Sequence, residues 1–168
     1  MKEKGMKNSA RFISVLLNIG CIIFGIMSVL LSIGIAVLLF SPLISPDMFH
    51  EAWETAVEAG QPLSFGQCIF FFLCCLAEFI CVFLSLYNAK KIFSCIGKGS
   101  SPFTAKISSQ IRRIALYIVI FAVFSVLSVF KASPASILMY GLFALILFCI
   151  SLIFDYGCEL QREVDETL

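Results

Sequence analysis

FISVLLNIGCIIFGIMSVLLSIGIAVLLF, residues 12–40, runs without a charged side chain. As one helix rising about 1.5 Å per residue it would be about 43 Å long, so it outreaches a hydrocarbon core of roughly 30 Å and must tilt, emerge or kink near its end. Pro42 stands just beyond it. Three more apolar runs follow at 68–88, 114–130 and 137–154; the first carries one charge, Glu78, and the other two carry none. Each is long enough, or nearly so, to cross the core as a helix. The chain has 168 residues, the size of one domain, but 60% are hydrophobic, only 14% are charged and 18 are Phe. Soluble domains sit nearer an even balance. The expected fold is therefore all-α: a single membrane domain over residues 1–168, built as a four-helix transmembrane bundle.

Orientation follows from the Lys and Arg residues in the connections, because basic residues resist translocation and acids count little. Lys2, Lys4, Lys7 and Arg11 precede the first run, and Lys90, Lys91, Lys98, Lys106, Arg112 and Arg113 lie between the second and third. Arg162 follows the fourth, and only Lys131 falls on the other side. This bias predicts both termini in the cytoplasm, an external loop at 41–67 and a tight external hairpin at 131–136. It also predicts a basic cytoplasmic loop at 89–113 and an acidic cytoplasmic tail at 155–168. A cleaved signal peptide would also begin with a basic segment. The apolar stretch is about twice the length of a usual signal core, however, and no small-x-small site follows, so an uncleaved first helix is expected. The formal net charge of +1 conceals separated basic and acidic fields.

Eight cysteines raise a metal or redox question. Cys21, Cys74, Cys75, Cys81 and Cys149 lie within the runs, Cys68 at a boundary, and Cys95 and Cys158 on the cytoplasmic side. None belongs clearly to the external loop, so no disulfide framework is implied. Cys74 and Cys75 are adjacent rather than spaced as Cys-x-x-Cys, and the sole histidine, His50, lies outside. Packing cysteines, with no metal and no cofactor, are expected. The chain also lacks a membrane histidine, a His-Glu-x-x-His and a Gly-x-Ser-x-Gly, so no catalytic residue is assigned and no enzyme activity is expected.

Glu78 is the most unusual single residue, because an acid near the middle of a span costs on the order of 3 kcal/mol on insertion scales. It should face the bundle or water and be hydrogen-bonded. Cys74, Cys75, Cys81 and Val82 share its helical face. Two roles fit: a proton- or cation-coupling carboxylate, or an acid joining this helix to a serine on another, with Ser28, Ser32 and Ser125 at suitable depths.

Small and polar residues recur at intervals of three and four in the first run: Ser14, Asn18, Cys21, Gly25, Ser28, Ser32 and Ala36. Such faces let helices approach closely in lipid. Gly141, Ala144, Phe148, Ser151 and Asp155 make a similar face on the fourth, which suggests first-to-fourth packing; either stripe would equally serve a homodimer.

Outside, Ser45-Pro46-Asp47 has the composition of a helix start, and Gly60 with Pro62 that of a stop. Between them Phe49, Trp53, Ala56 and Val57 share one face while Asp47, Glu51, Glu54 and Glu58 share another. An external amphipathic helix on the membrane surface is expected, with Trp53 at headgroup level. Its acidic stripe would capture a cation or basic peptide, or simply be solvated.

Inside, the second helix should continue through Lys90 and Lys91 to Ile96 and break at Gly97-Lys98-Gly99, with a new start near Thr104. Six basic residues and no acid lie here. Anionic lipid headgroups are the default partner of such a segment, at about 1 kcal/mol per basic residue. A Gly-x-Gly fragment alone makes no phosphate loop. In the tail, Asp155, Glu159, Glu163, Asp165 and Glu166 outweigh Arg162. A short acidic helix there would fold back on the basic loop, meet a basic protein, or stay solvated.

Two cytoplasmic segments carry a family resemblance. Gly99-Ser100-Ser101-Pro102-Phe103-Thr104 with Ile111-Arg112-Arg113-Ile114-Ala115 resembles one segment of a bacterial integral membrane family labelled domain of unknown function 2975. Phe154-Asp155-Tyr156-Gly157-Cys158-Glu159-Leu160-Gln161, continuing through Asp165 to Leu168, resembles that family's ending. Arg162 stands where the family pattern has an acid, and Glu166 where it has a hydrophobe. The resemblance implies a small four-span protein of unassigned activity, often encoded beside a helix-turn-helix regulator. It implies interaction residues at Pro102, Phe103, Thr104, Arg112, Arg113, Tyr156, Gly157, Glu159, Leu160, Gln161 and Asp165.

The expected function is that of a non-enzymatic scaffold, sensor or sequestering partner in the bacterial cytoplasmic membrane, with no direct nucleic-acid binding. The alternative is a small transporter coupled through Glu78.

Overall fold

The computed structural model describes residues 2–58, 64–98, 104–128 and 134–166. Among them are five helices and no strand: α1 Lys2–Ile44, α2 Pro46–Glu58, α3 Phe65–Gly97, α4 Ala105–Ser128 and α5 Pro134–Glu166. All but α2 are long and apolar enough to cross a membrane. The chain is thus an all-α, multi-pass membrane protein by length and composition. Pro102 and Phe103, the Gly60–Pro62 stop and residues 131–133 of the expected hairpin lie outside the described residues, while its residues 134–136 form the start of α5.

The helices run past the apolar segments that nucleate them, because each added residue then costs little beyond its own hydrogen bond. The expected change near Pro42 does not break α1, which continues through the proline to Ile44. Pro42 has no N–H to give the Leu38 carbonyl. The Ser41 hydroxyl donates to that oxygen instead, at 3.0 Å. Ser45 then joins α1 to α2: its N–H donates to Ser41 O, and its carbonyl accepts from Phe49 N, both at 3.0 Å. Pro46 takes the first helical position of α2, where a missing N–H costs nothing.

A capping box starts α3. The Ser64 hydroxyl accepts from Gln67 N at 3.4 Å, and the Gln67 side chain accepts from Ser64 N at 2.8 Å. The helix ends at Gly97, where Lys98 N–H turns back to Ser94 O and Cys95 O at 3.2 Å. The basic connection is thus helical on both sides of the break, as expected, with its charges on the last turns of α3 and the first turns of α4.

The four long helices form an open row. α1 packs on α3, α3 on α4 and α4 on α5, while α1 touches neither α4 nor α5 among the described residues. The first-to-fourth packing suggested by the two small-residue stripes is thus corrected. Part of the α1 stripe faces α3: Gly25 sits under Phe83 and Cys21 is buried, with Gly20 under Leu86 and Phe24 against Phe79, ring centres 5.8 Å apart, beside them, while Ser32 and Ala36 are exposed. The α5 stripe faces α4. Ala115 and Ala144 are buried, and Phe121 and Tyr140 pack edge to face at 5.4 Å. In lipid there is no hydrophobic drive between helices, so small residues that allow close backbone approach decide which pairs form. Outward faces of α1 and α5 carry exposed Ile, Leu, Val and Phe side chains, as a lipid-facing surface requires.

Candidate functional site

Contacts between helices fix which residues share one end of the row. Gly97, at the end of α3, lies against Arg11 and Ala10 of α1. One turn or more inward, Lys90 Nζ donates to Asn18 Oδ1 at 2.7 Å. Between α4 and α5, the buried Ser108 hydroxyl donates to the Ser151 carbonyl at 3.0 Å, and Arg112 donates to Asp155 Oδ2 at 2.7 Å. The antiparallel order thereby gathers the start of α1, the end of α3, the start of α4 and the end of α5. These are the segments in which the chain concentrates its basic residues, and the acidic end of α5 stands among them.

Asp155 is the first acid after the last apolar stretch of α5, and its pairing with Arg112 pins the acidic extension to the basic turns of α4. The pair is half-exposed, with side chains 51% and 42% accessible, and the Arg112 guanidinium also lies 5.8 Å from the centre of the Phe148 ring. Beyond Asp155 the helix continues to Glu166. Tyr156, Glu159, Leu160 and Gln161 are exposed along it and Gly157 is half-buried; Arg162 pairs with Glu166 at 3.1 Å. The Asp165 side chain lies outside the described residues. On α4, Thr104 starts the helix through its carbonyl, which accepts from Ile107 N at 2.9 Å and Ser108 N at 3.2 Å, and Arg113 is exposed.

Glu78 lies away from this end. Its Oε1 accepts from the Ser128 hydroxyl of α4 at 2.9 Å, and the same hydroxyl is 3.2 Å from the Ser125 carbonyl. The serines expected as partners are otherwise engaged. Ser28 and Ser32 donate to carbonyls of their own helix, Phe24 O at 2.7 Å and Ser28 O at 2.8 Å, and Ser125 contributes its backbone rather than its side chain. Cys74 and Cys81, on the same side of α3, are buried.

At the opposite end, Phe49 and Trp53 of α2 stack at 6.1 Å, and Phe65 of α3 meets both edge-on at 5.2 and 5.7 Å. Asp47, Glu51, Glu54 and Glu58 are all exposed. Val57, expected on the apolar face, is exposed too. All eight cysteines are free thiols, and among the described residues no three His, Cys, Asp or Glu side chains are grouped so as to hold a metal ion.

Three partners were not foreseen from the sequence: Asp155 for Arg112, Asn18 for Lys90, and Ser128 for Glu78. Asn18 and Asp155 stood on the small-residue faces, so the signal was a polar residue inside a packing stripe. Ser128 offered none, since its register against Glu78 depends on how α3 and α4 slide.

A family model described as a protein of unknown function (DUF2975) matches residues 42–168. No curated protein and no solved structure matches the chain.

Proposed function

The chain belongs to the family of unknown function 2975, and from that premise we propose that it is a non-enzymatic scaffold, sensor or sequestering partner in the bacterial cytoplasmic membrane. Its working surface is the basic end of the row, turned to the cytoplasm. There the exposed Lys98, Lys106 and Arg113 meet anionic lipid headgroups, and the helical extension from Asp155 to Glu166 stands beside them as a docking element for a cytoplasmic protein. The observation that carries this is the Arg112–Asp155 contact at 2.7 Å. It holds the acidic helix in one place relative to the bilayer-facing charges, so a partner would meet a fixed surface rather than a loose tail.

A helix-turn-helix protein encoded beside this chain is the partner to test. Co-purification from detergent extracts should be lost when Glu159→Lys and Glu163→Lys are combined, with membrane levels of the chain unchanged. Retained co-purification would refute the tail's role.

Glu78 supports a second function, proton- or cation-coupled transport, because a half-buried carboxylate inside a span is the usual mark of an ion pathway. The Ser128 hydroxyl already answers that acid's hydrogen-bonding need within the fold, which favours an interhelical clasp. Unchanged pH-dependent uptake or resistance in Glu78→Gln would end the transport reading.

A further inference from the structure

Between the last turns of α3 and the first turns of α4 lies a cavity of about 360 Å³. Four other clefts among the described residues are walled mainly by aliphatic and aromatic side chains. This one is lined by Lys90, Lys91, Lys98 and Lys106 together with Ser94 and Gln110, and among the described residues no acid contributes to its wall. Four lysine side chains sharing one small cavity concentrate positive charge there, and an anion placed among them relieves the repulsion.

Two of the four are already held in position. Lys90 is fixed by its 2.7 Å bond to Asn18 Oδ1, which uses one of its three donors. Lys91 lies over the Tyr87 ring with Nζ 4.2 Å from the centroid, a cation–π contact that restrains the chain without neutralising it. Lys98 and Lys106 line it from the two helices and are exposed. Gln110, also in the lining, is 5% accessible, and its buried carbonyl oxygen has no hydrogen-bond partner among the described residues. A buried acceptor left unmatched costs about 1–3 kcal/mol, so the cavity offers an unmet acceptor beside a set of unmet positive charges.

The geometry points to a binding site for a phosphoryl group that carries a neighbouring hydroxyl, the chemistry of a glycerol-phosphate headgroup or of a free phosphorylated polyol. The phosphoryl oxygens take the lysines and the Ser94 hydroxyl, and the ligand's hydroxyl donates toward Gln110. The site lies between spans at the level where their apolar stretches end, which is where basic pockets hold anionic headgroups. This deepens the lipid contact proposed above and rests on it only for the lipid source of the ligand.

The test uses the full chain purified in a neutral detergent, with thermal stability followed during titration by short-chain phosphatidylglycerol, glycerol 3-phosphate or, as control, phosphatidylcholine. Phosphatidylglycerol should stabilise and phosphatidylcholine should not. Stabilisation by glycerol 3-phosphate as well would identify a site open to free ligands, and stabilisation by the lipid alone a headgroup site. At about 1 kcal/mol per basic residue, Lys106→Gln should raise the half-saturating concentration about fivefold and Lys98→Gln with Lys106→Gln about 25-fold. Arg11→Gln, exposed at the same end of the row but outside the cavity lining, should change it little. Equal losses from Lys106→Gln and Arg11→Gln would overturn the site while leaving general headgroup attraction intact. No stabilisation by any phosphoryl compound would overturn both.

Discussion

Replacing Ser128 with Ala and Glu78 with Gln, singly and together, measures a polar contact that joins α3 to α4 between their apolar stretches. The Ser128 hydroxyl has a single proton and two acceptors within reach, Glu78 Oε1 at 2.9 Å and Ser125 O at 3.2 Å. The Ser125 carbonyl loses little in Ser128→Ala, whereas Glu78 loses its interhelical donor. Hydrogen bonds between membrane helices average about 0.6 kcal/mol and reach about 1.7 kcal/mol. Ser128→Ala should therefore destabilise by about 1 kcal/mol. Glu78→Gln keeps an oxygen acceptor at the same place and should cost less than about half of that. Once Glu78 is Gln, Ser128→Ala should cost less than it does in the wild type. The difference is the coupling free energy of the pair, expected to be no more than about 0.5 kcal/mol because the amide oxygen keeps most of the bond. Reversible unfolding in mixed micelles, read by far-ultraviolet circular dichroism, supplies the four stabilities. Zero coupling with a neutral Ser128→Ala would show that the contact holds nothing together, and the clasp would be wrong.

Gly97 lies where an added Cβ would come 3.2 Å from Arg11 Cγ and 3.6 Å from the Arg11 backbone nitrogen, so Gly97→Leu should overpack α1 against α3 and cost about 1–3 kcal/mol in the same unfolding assay. At Gly25 the nearest atom is 3.5 Å away, on the Phe83 ring. Gly25→Ala should accordingly be neutral or stabilising by up to about 1 kcal/mol through helix propensity. The Arg112–Asp155 pair is half-exposed, so Asp155→Asn should cost no more than about 1 kcal/mol, and that cost should shrink in high salt; a larger, salt-insensitive loss would mean the pair is buried in the membrane-bound state. Phe65→Ala removes the ring that meets both Phe49 and Trp53, and the emission of Trp53, the sole tryptophan, should shift to the red and become more accessible to a water-soluble quencher.

Much of the fold was legible because apolar runs of bilayer length have few other outcomes. The uncharged stretch at 12–40 and the Gly97 stop both reappear as helical features. So does the Pro46 start, because proline at the first helical turn and glycine at a helix end act locally. The Ser64–Gln67 capping box was also present as a local Ser-x-x-Gln pattern, though it was not read. Helix order was not legible. Two small-residue faces can meet each other or meet neighbours on either side, and only the three-dimensional arrangement decides, as α1 on α3 and α5 on α4 demonstrate. The partners of Glu78 and Arg112 escaped for the same reason, since an interhelical bond depends on axial register, which hydropathy does not encode. The lysine cavity escaped because its walls come from two helices whose relative position hydropathy does not encode.

A row that fails to close has two flanks, and here they are chemically and sequentially different, α1 on one side and α5 on the other. Lateral association of identical molecules is then restricted by symmetry. Joining α1 to α1, or α5 to α5, generates a two-fold axis and consumes one flank of each copy. Joining α1 to α5 leaves a free flank at each extremity, so it either curves into a ring or lengthens without limit in the plane of the bilayer.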